Sequence, residues 1–127
     1  MKTFKTPAEQ AVGPAIAEIF ERLTQKALNP AFRGCAFGLA VAEHGESERI
    51  VGLARRHKSA VAEVLATIAE RAGLRDAAQA GRHLALLYDG ALARRSVYGG
   101  LQPMLEAKEC ALSLFDRGQA NDTAGKL

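Results

Sequence analysis

Residues 80–98 read AGRHLALLYDGALARRSVY, and the expected architecture follows from how this segment is buried. Wound as a helix at about 100° per residue, it presents apolar side chains on nearly every bearing. Only a narrow stripe, formed by Arg82, Asp89 and Ser96, is polar. Such a helix is stable only when it is buried on more than one side, which a small helical domain hardly provides by itself. We therefore expect the chain to form a homodimer.

The last helix shares this property. Residues 102–117 also carry more apolar side chains than one helix face holds. Two such helices from each of two copies would form a four-helix interface related by a two-fold axis. The side chains predicted to form this dimer interface are Leu86, Gly90, Ala93, Val97, Met104, Ala107, Ala111 and Leu114.

The rest of the chain is helical in pattern as well. Gly and Pro separate blocks of helical length, and no alternation of apolar and polar residues is long enough for a strand. Twenty-five alanines against ten isoleucines and valines favour helix over sheet. The prediction is an all-α bundle of five to six helices, with helices at about residues 14–27, 33–44, 47–72, 76–98 and 102–117.

Local signals mark where these helices begin and end. Pro14 follows a glycine, which is typical of a first helical turn, so we expect a helix to begin there. Ser47 and Asp76 are good N-cap residues for the third and fourth helices. Gly73 and Gly99 predict the ends of the same two helices.

Four motifs occur in an order that resembles a known family. They are Arg-Gly-Cys-Ala-Phe at 33–37, Arg-Arg-His-Lys at 55–58, Ala-Gly-Leu-Arg-Asp at 72–76 and Leu-Leu-Tyr-Asp-Gly-Ala-Leu at 86–92. Together they are similar to the C-terminal domain of TetR-type transcriptional regulators. The resemblance implies a helical domain that binds a small effector between its middle helices and dimerises through its last two long helices.

The resemblance also sets an expected domain organisation. We expect a remnant of a preceding helix or a linker at residues 1–13, a ligand-binding and dimerisation domain at 14–118, and a disordered tail at 119–127. The residues before position 14 are too few for a helix-turn-helix, so no direct DNA binding is expected from this chain. The expected function is the effector-sensing and dimerisation portion of a repressor. The alternative is a stand-alone dimerising module that sequesters a related regulator.

The expected effector is a small apolar or amphipathic molecule, bound without cofactor or metal. His57 is the one polar member of the apolar stripe of the third helix, so it either offers a hydrogen bond to the effector or is a core histidine. Tyr88 is the second polar candidate, if the family arrangement holds. The remaining candidate pocket residues are apolar, and such residues at helical spacing more often form plain core: Phe20, Leu23, Phe37, Val41, Val61 and Leu92.

Other classes of function are disfavoured. A net charge of +3 is too small for a polybasic DNA-coating protein. No nucleophile elbow, phosphate-binding glycine loop or zinc-protease motif occurs, so no enzymatic activity is expected. Cys35 and Cys110 are far apart, which favours two reduced thiols in a cytoplasmic protein over a disulfide framework, with Cys35 a minor candidate for a redox sensor. The Arg55-Arg56 and Arg94-Arg95 pairs are expected on solvated faces, the second also near a helix C-terminus.

Overall fold

The computed structural model describes the backbone of residues 7–30, 32 and 36–124, and the side chains of 12–30, 32 and 40–115. Within these residues the chain is helical, with no strand, so the predicted all-α class is confirmed. The helices are α1 (Pro7–Leu28), α2 (Ala36–His44), α3 (Glu48–Arg71), α4 (Ala77–Tyr98) and α5 (Gln102–Ala124). In this part of the chain, no helix combines the length and apolarity needed to cross a bilayer.

The first helix does not begin at Pro14, contrary to the prediction. Pro14 lies inside α1, which runs without interruption from Pro7 to Leu28. Proline removes one backbone N–H donor and crowds the residue before it. Here that residue is Gly13, which has no Cβ, so one of the two penalties is relieved. The apolar stripe that continues through Val12 and Ile16, both 2% exposed, anchors the helix on either side of the proline.

The predicted ends of α3 and α4 are confirmed. The Ser47 Oγ accepts a hydrogen bond from the Ile50 backbone N–H at 3.3 Å. The Asp76 Oδ1 accepts one from the Gln79 backbone N–H at 3.1 Å. At the other ends, Gly73 and Gly99 adopt φ values of 90° and 72°, the left-handed region that side chains disfavour.

The last helix is longer than predicted. Its end was expected at Arg117, before Gly118, with a disordered tail from Gln119. The structure instead continues α5 to Ala124. A glycine inside a helix costs only about 1 kcal/mol relative to alanine, so a single glycine without a left-handed conformation does not end a helix.

The hydrophobic core lies between four of the helices. α4 packs against α3 on one side and α5 on the other, α1 packs against α5 and α3, and α2 packs against α3. The largest fully buried side chains come from α1, α4 and α5: Phe20, Ile16, Leu23, Leu84, Met104 and Val12.

At Gly81, α4 lies directly against the backbone of α3. A Cβ atom built on Gly81 would lie 2.7 Å from the Ala62 carbonyl oxygen and 2.7 Å from both the N and Cβ of Ala66. The absence of a side chain at this position therefore sets the distance between the two helices.

Candidate functional site

One face of α4 remains exposed although the helix has neighbours on two sides. We call Leu86, Gly90, Ala93 and Val97 the α4 stripe; their spacing of three and four residues places them on one face of the helix. Leu86 is 71% exposed and Val97 is 78% exposed. The opposite side of α4, including Leu84 at 0%, lies in the core. The chain thus buries α4 on one side and leaves a continuous apolar face to solvent.

The α5 half of the predicted dimer interface needs correction. Met104 and Ala111 are 0% exposed and Ala107 is 8% exposed, because they form the inward face of α5 within the core of the same chain. Residues already covered within one chain have no surface left for a partner, so their assignment to the interface was wrong. Leu114, at 44% exposure, keeps part of its side chain at the surface.

The residues predicted to line an effector pocket divide into two groups. Phe20, Leu23 and Leu92 are buried in the core, at 8% exposure or less. Val61 and Tyr88 are partly buried and pack against that core. Of the two predicted wall residues on α2, Val41 is partly buried, and the side chain of Phe37 lies outside the described residues. Cys35, the candidate redox sensor, also lies outside them.

His57 does not lie in the interior. It is exposed, so the interpretation as a core histidine was wrong, and a hydrogen bond from His57 to an effector stays a prediction. The apolar stripe read from the sequence is wider than the face of α3 that is buried, which includes Ala54, Leu65 and Ala69. Leu53 and Val64, at 40% and 59% exposure, belong with His57 to the uncovered edge of α3.

An ion pair between Lys58 and Asp89 joins α3 to α4. The Lys58 Nζ lies 2.6 Å from the Asp89 Oδ1, and the two side chains are 38% and 40% exposed. Each of these residues directly follows a residue singled out in the sequence, His57 and Tyr88. Sequence reasoning missed the pair because 31 residues separate its members, and only the helix crossing brings them together. A pair this exposed contributes at most about 1 kcal/mol.

A second long-range polar contact ties α1 to the turn between α4 and α5. The Arg95 guanidinium donates to the Ala27 carbonyl oxygen at 2.8 Å and to the Gly100 carbonyl oxygen. Ala27 lies in the last turn of α1, where carbonyl groups lack helical partners and attract cations. Arg95 lies in the last turn of α4, as predicted, whereas the helix end that its guanidinium contacts is that of α1.

The neighbouring arginines lie at the surface. Arg94 is exposed and its guanidinium carbon lies 5.0 Å from the centre of the Tyr98 ring. Arg55 and Arg56 are exposed on α3, as predicted. In the part of the chain with described side chains, no buried residue is polar or charged. The polar side chains of this part of the chain therefore lie where a ligand or partner would meet them at the surface.

Comparison with protein-family models, with curated proteins and with solved structures finds no match to this chain.

Proposed function

We propose that this chain is the effector-sensing and dimerisation portion of a TetR-type transcriptional regulator, a repressor in its complete form. The observation that carries the proposal is the exposed α4 stripe, with Leu86 and Val97 more than two-thirds exposed. The stripe lies on the helix that contains the 86–92 motif of the family resemblance.

The α4 stripe supports a second copy of this chain as the occupant. The stripe has large apolar side chains at its ends and small residues, Gly90 and Ala93, between them. A partner helix can therefore approach closely at these two small residues. A stable dimer buries about 800 Å² on each partner, more than four residues supply. The proposed interface therefore includes the exposed part of α5 around Leu114 as well.

The proposed effector site lies among the middle helices, on the partly buried side chains of Val61 in α3 and Tyr88 in α4. Apolar walls there favour a small apolar or amphipathic molecule. The Tyr88 hydroxyl and the Lys58–Asp89 pair supply polar groups at its edge. An effector that binds one helix arrangement more tightly than another shifts the equilibrium between them, and this is how it would alter DNA affinity in a complete regulator.

A second candidate function, a dimerising module that sequesters a related regulator, is favoured by one observation. Three predicted wall residues, Phe20, Leu23 and Leu92, are packed in the core. A protein that only pairs with a regulator needs the α4 stripe and no effector site. The two functions differ in whether the purified protein carries a small molecule.

The first experiment measures solution mass by light scattering, together with native mass spectrometry. The wild-type chain should have twice the monomer mass of 13.5 kDa. Ala93→Arg should convert it to a monomer, because it places a charge in the middle of an apolar interface. Ala60→Arg, at an exposed position on α3, is the matched control and should remain dimeric.

The outcomes separate the hypotheses. A monomeric wild-type chain would refute the proposed dimerisation, and a dimeric Ala93→Arg variant would refute the assignment of the α4 stripe. A dimer that carries a small bound molecule supports the sensor. A dimer without one, which instead captures a longer TetR-type regulator mixed with it, supports the sequestering module.

A further inference from the structure

A cleft opens between α1 and α5, away from the α4 stripe. Its volume is about 120 Å³, and its lining includes Phe20, Thr24, Met104, Leu105 and Lys108. Phe20 and Met104 are 1% and 0% exposed and close the bottom of the cleft, while Leu105, at 43% exposure, supplies accessible apolar surface. We call this feature the α1–α5 cleft.

The α1–α5 cleft contains one cation with a loosely held partner. The Lys108 side chain is only 26% exposed, because most of its length is covered by its surroundings. Its Nζ lies 3.9 Å from the Glu21 Oε1, beyond the range of about 2.7–3.2 Å for an N–H···O hydrogen bond. Glu21 is 63% exposed and is therefore easily rotated away. The ammonium is thus available to a carboxylate that binds closer.

Besides Glu21, the α1 side of the lining carries two polar side chains, Thr24 and Gln25. The Thr24 hydroxyl donates to the Phe20 carbonyl oxygen at 2.9 Å, so its proton is not available to an anion. The lining therefore offers an apolar surface with one charged donor, the Lys108 ammonium, and one neutral amide, that of Gln25. This chemistry fits one carboxylate attached to an apolar body, and it provides too few donors for a phosphate group.

We propose that the α1–α5 cleft binds a small amphipathic carboxylic acid of about the size of benzoate. A closed cavity of about 150 Å³ holds a benzene molecule, so a half-open cleft of 120 Å³ accommodates one aromatic ring or a short alkyl chain. The ring packs against the exposed part of Leu105. The carboxylate takes the place of Glu21 beside Lys108. This site is independent of the proposed function, because α2, α3 and α4 contribute nothing to its lining.

The test is a titration of the full chain with sodium benzoate, followed by amide chemical shifts in two-dimensional NMR. Benzyl alcohol and benzylamine serve as ring-matched probes without the negative charge. Saturable shifts in the millimolar range are expected for benzoate alone, at residues 20–25 and 104–108. Lys108→Met keeps the apolar stem and should weaken binding about tenfold, the loss expected for a charge-assisted hydrogen bond.

A second variant should strengthen benzoate binding rather than weaken it. Glu21→Gln removes the competing carboxylate and should strengthen benzoate binding about two- to fivefold, the range expected for a weak surface ion pair. Lys26→Met, at an exposed position of α1 outside the cleft, is the control and should leave binding unchanged. The proposal is overturned if benzyl alcohol binds as well as benzoate, if Glu21→Gln has no effect, or if the shifts lie in α3 and α4.

Discussion

Replacing Gly81 by alanine tests the packing of α3 on α4 most directly. The new Cβ would lie 2.7 Å from the Ala62 carbonyl oxygen and from the backbone N and the Cβ of Ala66. None of these atoms is the end of a flexible side chain. Ordinary contacts begin at 3.4 Å, so the two helices must separate by about 0.7 Å at this contact.

Two opposing effects determine the size of the change. Alanine stabilises a helix by about 1 kcal/mol relative to glycine. Overpacking a close contact costs typically about 1–3 kcal/mol, and here the surrounding atoms cannot move independently, which places the cost at or above the upper end. We therefore expect Gly81→Ala to lower the free energy of unfolding by about 2 kcal/mol or more.

The assay is urea unfolding followed by circular dichroism at matched protein concentration. Gly52→Ala is the control, since its Cβ would meet only the Arg56 Nη1 at 3.7 Å, an ordinary contact. That variant should gain about 0.5–1 kcal/mol from helix propensity alone. If Gly81→Ala is as stable as the wild type, the close approach of the two helices is wrong.

Two further predictions concern contacts at helix ends. Arg95→Met removes both hydrogen bonds of the guanidinium and should lower the free energy of unfolding by about 1–2 kcal/mol, with faster amide exchange near Ala27. Arg94→Met is the control, because that arginine contacts the exposed ring of Tyr98. An equal loss of stability in the two variants would argue against the contact between Arg95 and Ala27. Ser47→Ala removes the N-cap of α3 and should cost about 1 kcal/mol in thermal unfolding, whereas Ser47→Asp should retain most of the stability; an alanine variant with an unchanged melting temperature would contradict the capping bond to Ile50.

The helix boundaries that were predicted correctly are those with a complete local signal. Ser47 and Asp76 begin helices because their side-chain oxygens reach a backbone N–H only three residues further on. Gly99 ends α4 because its backbone adopts a conformation that side chains disfavour. Each of these contacts is made within one turn, so neighbouring residues are sufficient to predict it.

The predictions that failed concern residues whose effect on a helix depends on their surroundings or on their own backbone conformation. Pro14 marks a helix start only if nothing holds the helix on both sides of it, and Val12 and Ile16 do so from within the core. Gly118 marks an end only if its backbone leaves the helix, and α5 continues past it.

By itself, the sequence determined that this protein is a helical bundle, where α3 and α4 begin and end, and that α4 is apolar on several faces. Only the tertiary structure decided which faces are used: it buried Met104 in the chain's own core and left Leu86 and His57 at the surface. It alone placed Lys58 beside Asp89 and Lys108 near Glu21. The difference lies in how far apart along the chain the interacting residues are. Helix ends depend on hydrogen bonds between residues a few positions apart, whereas the covered face of a helix and the partner of a charge depend on how distant segments cross.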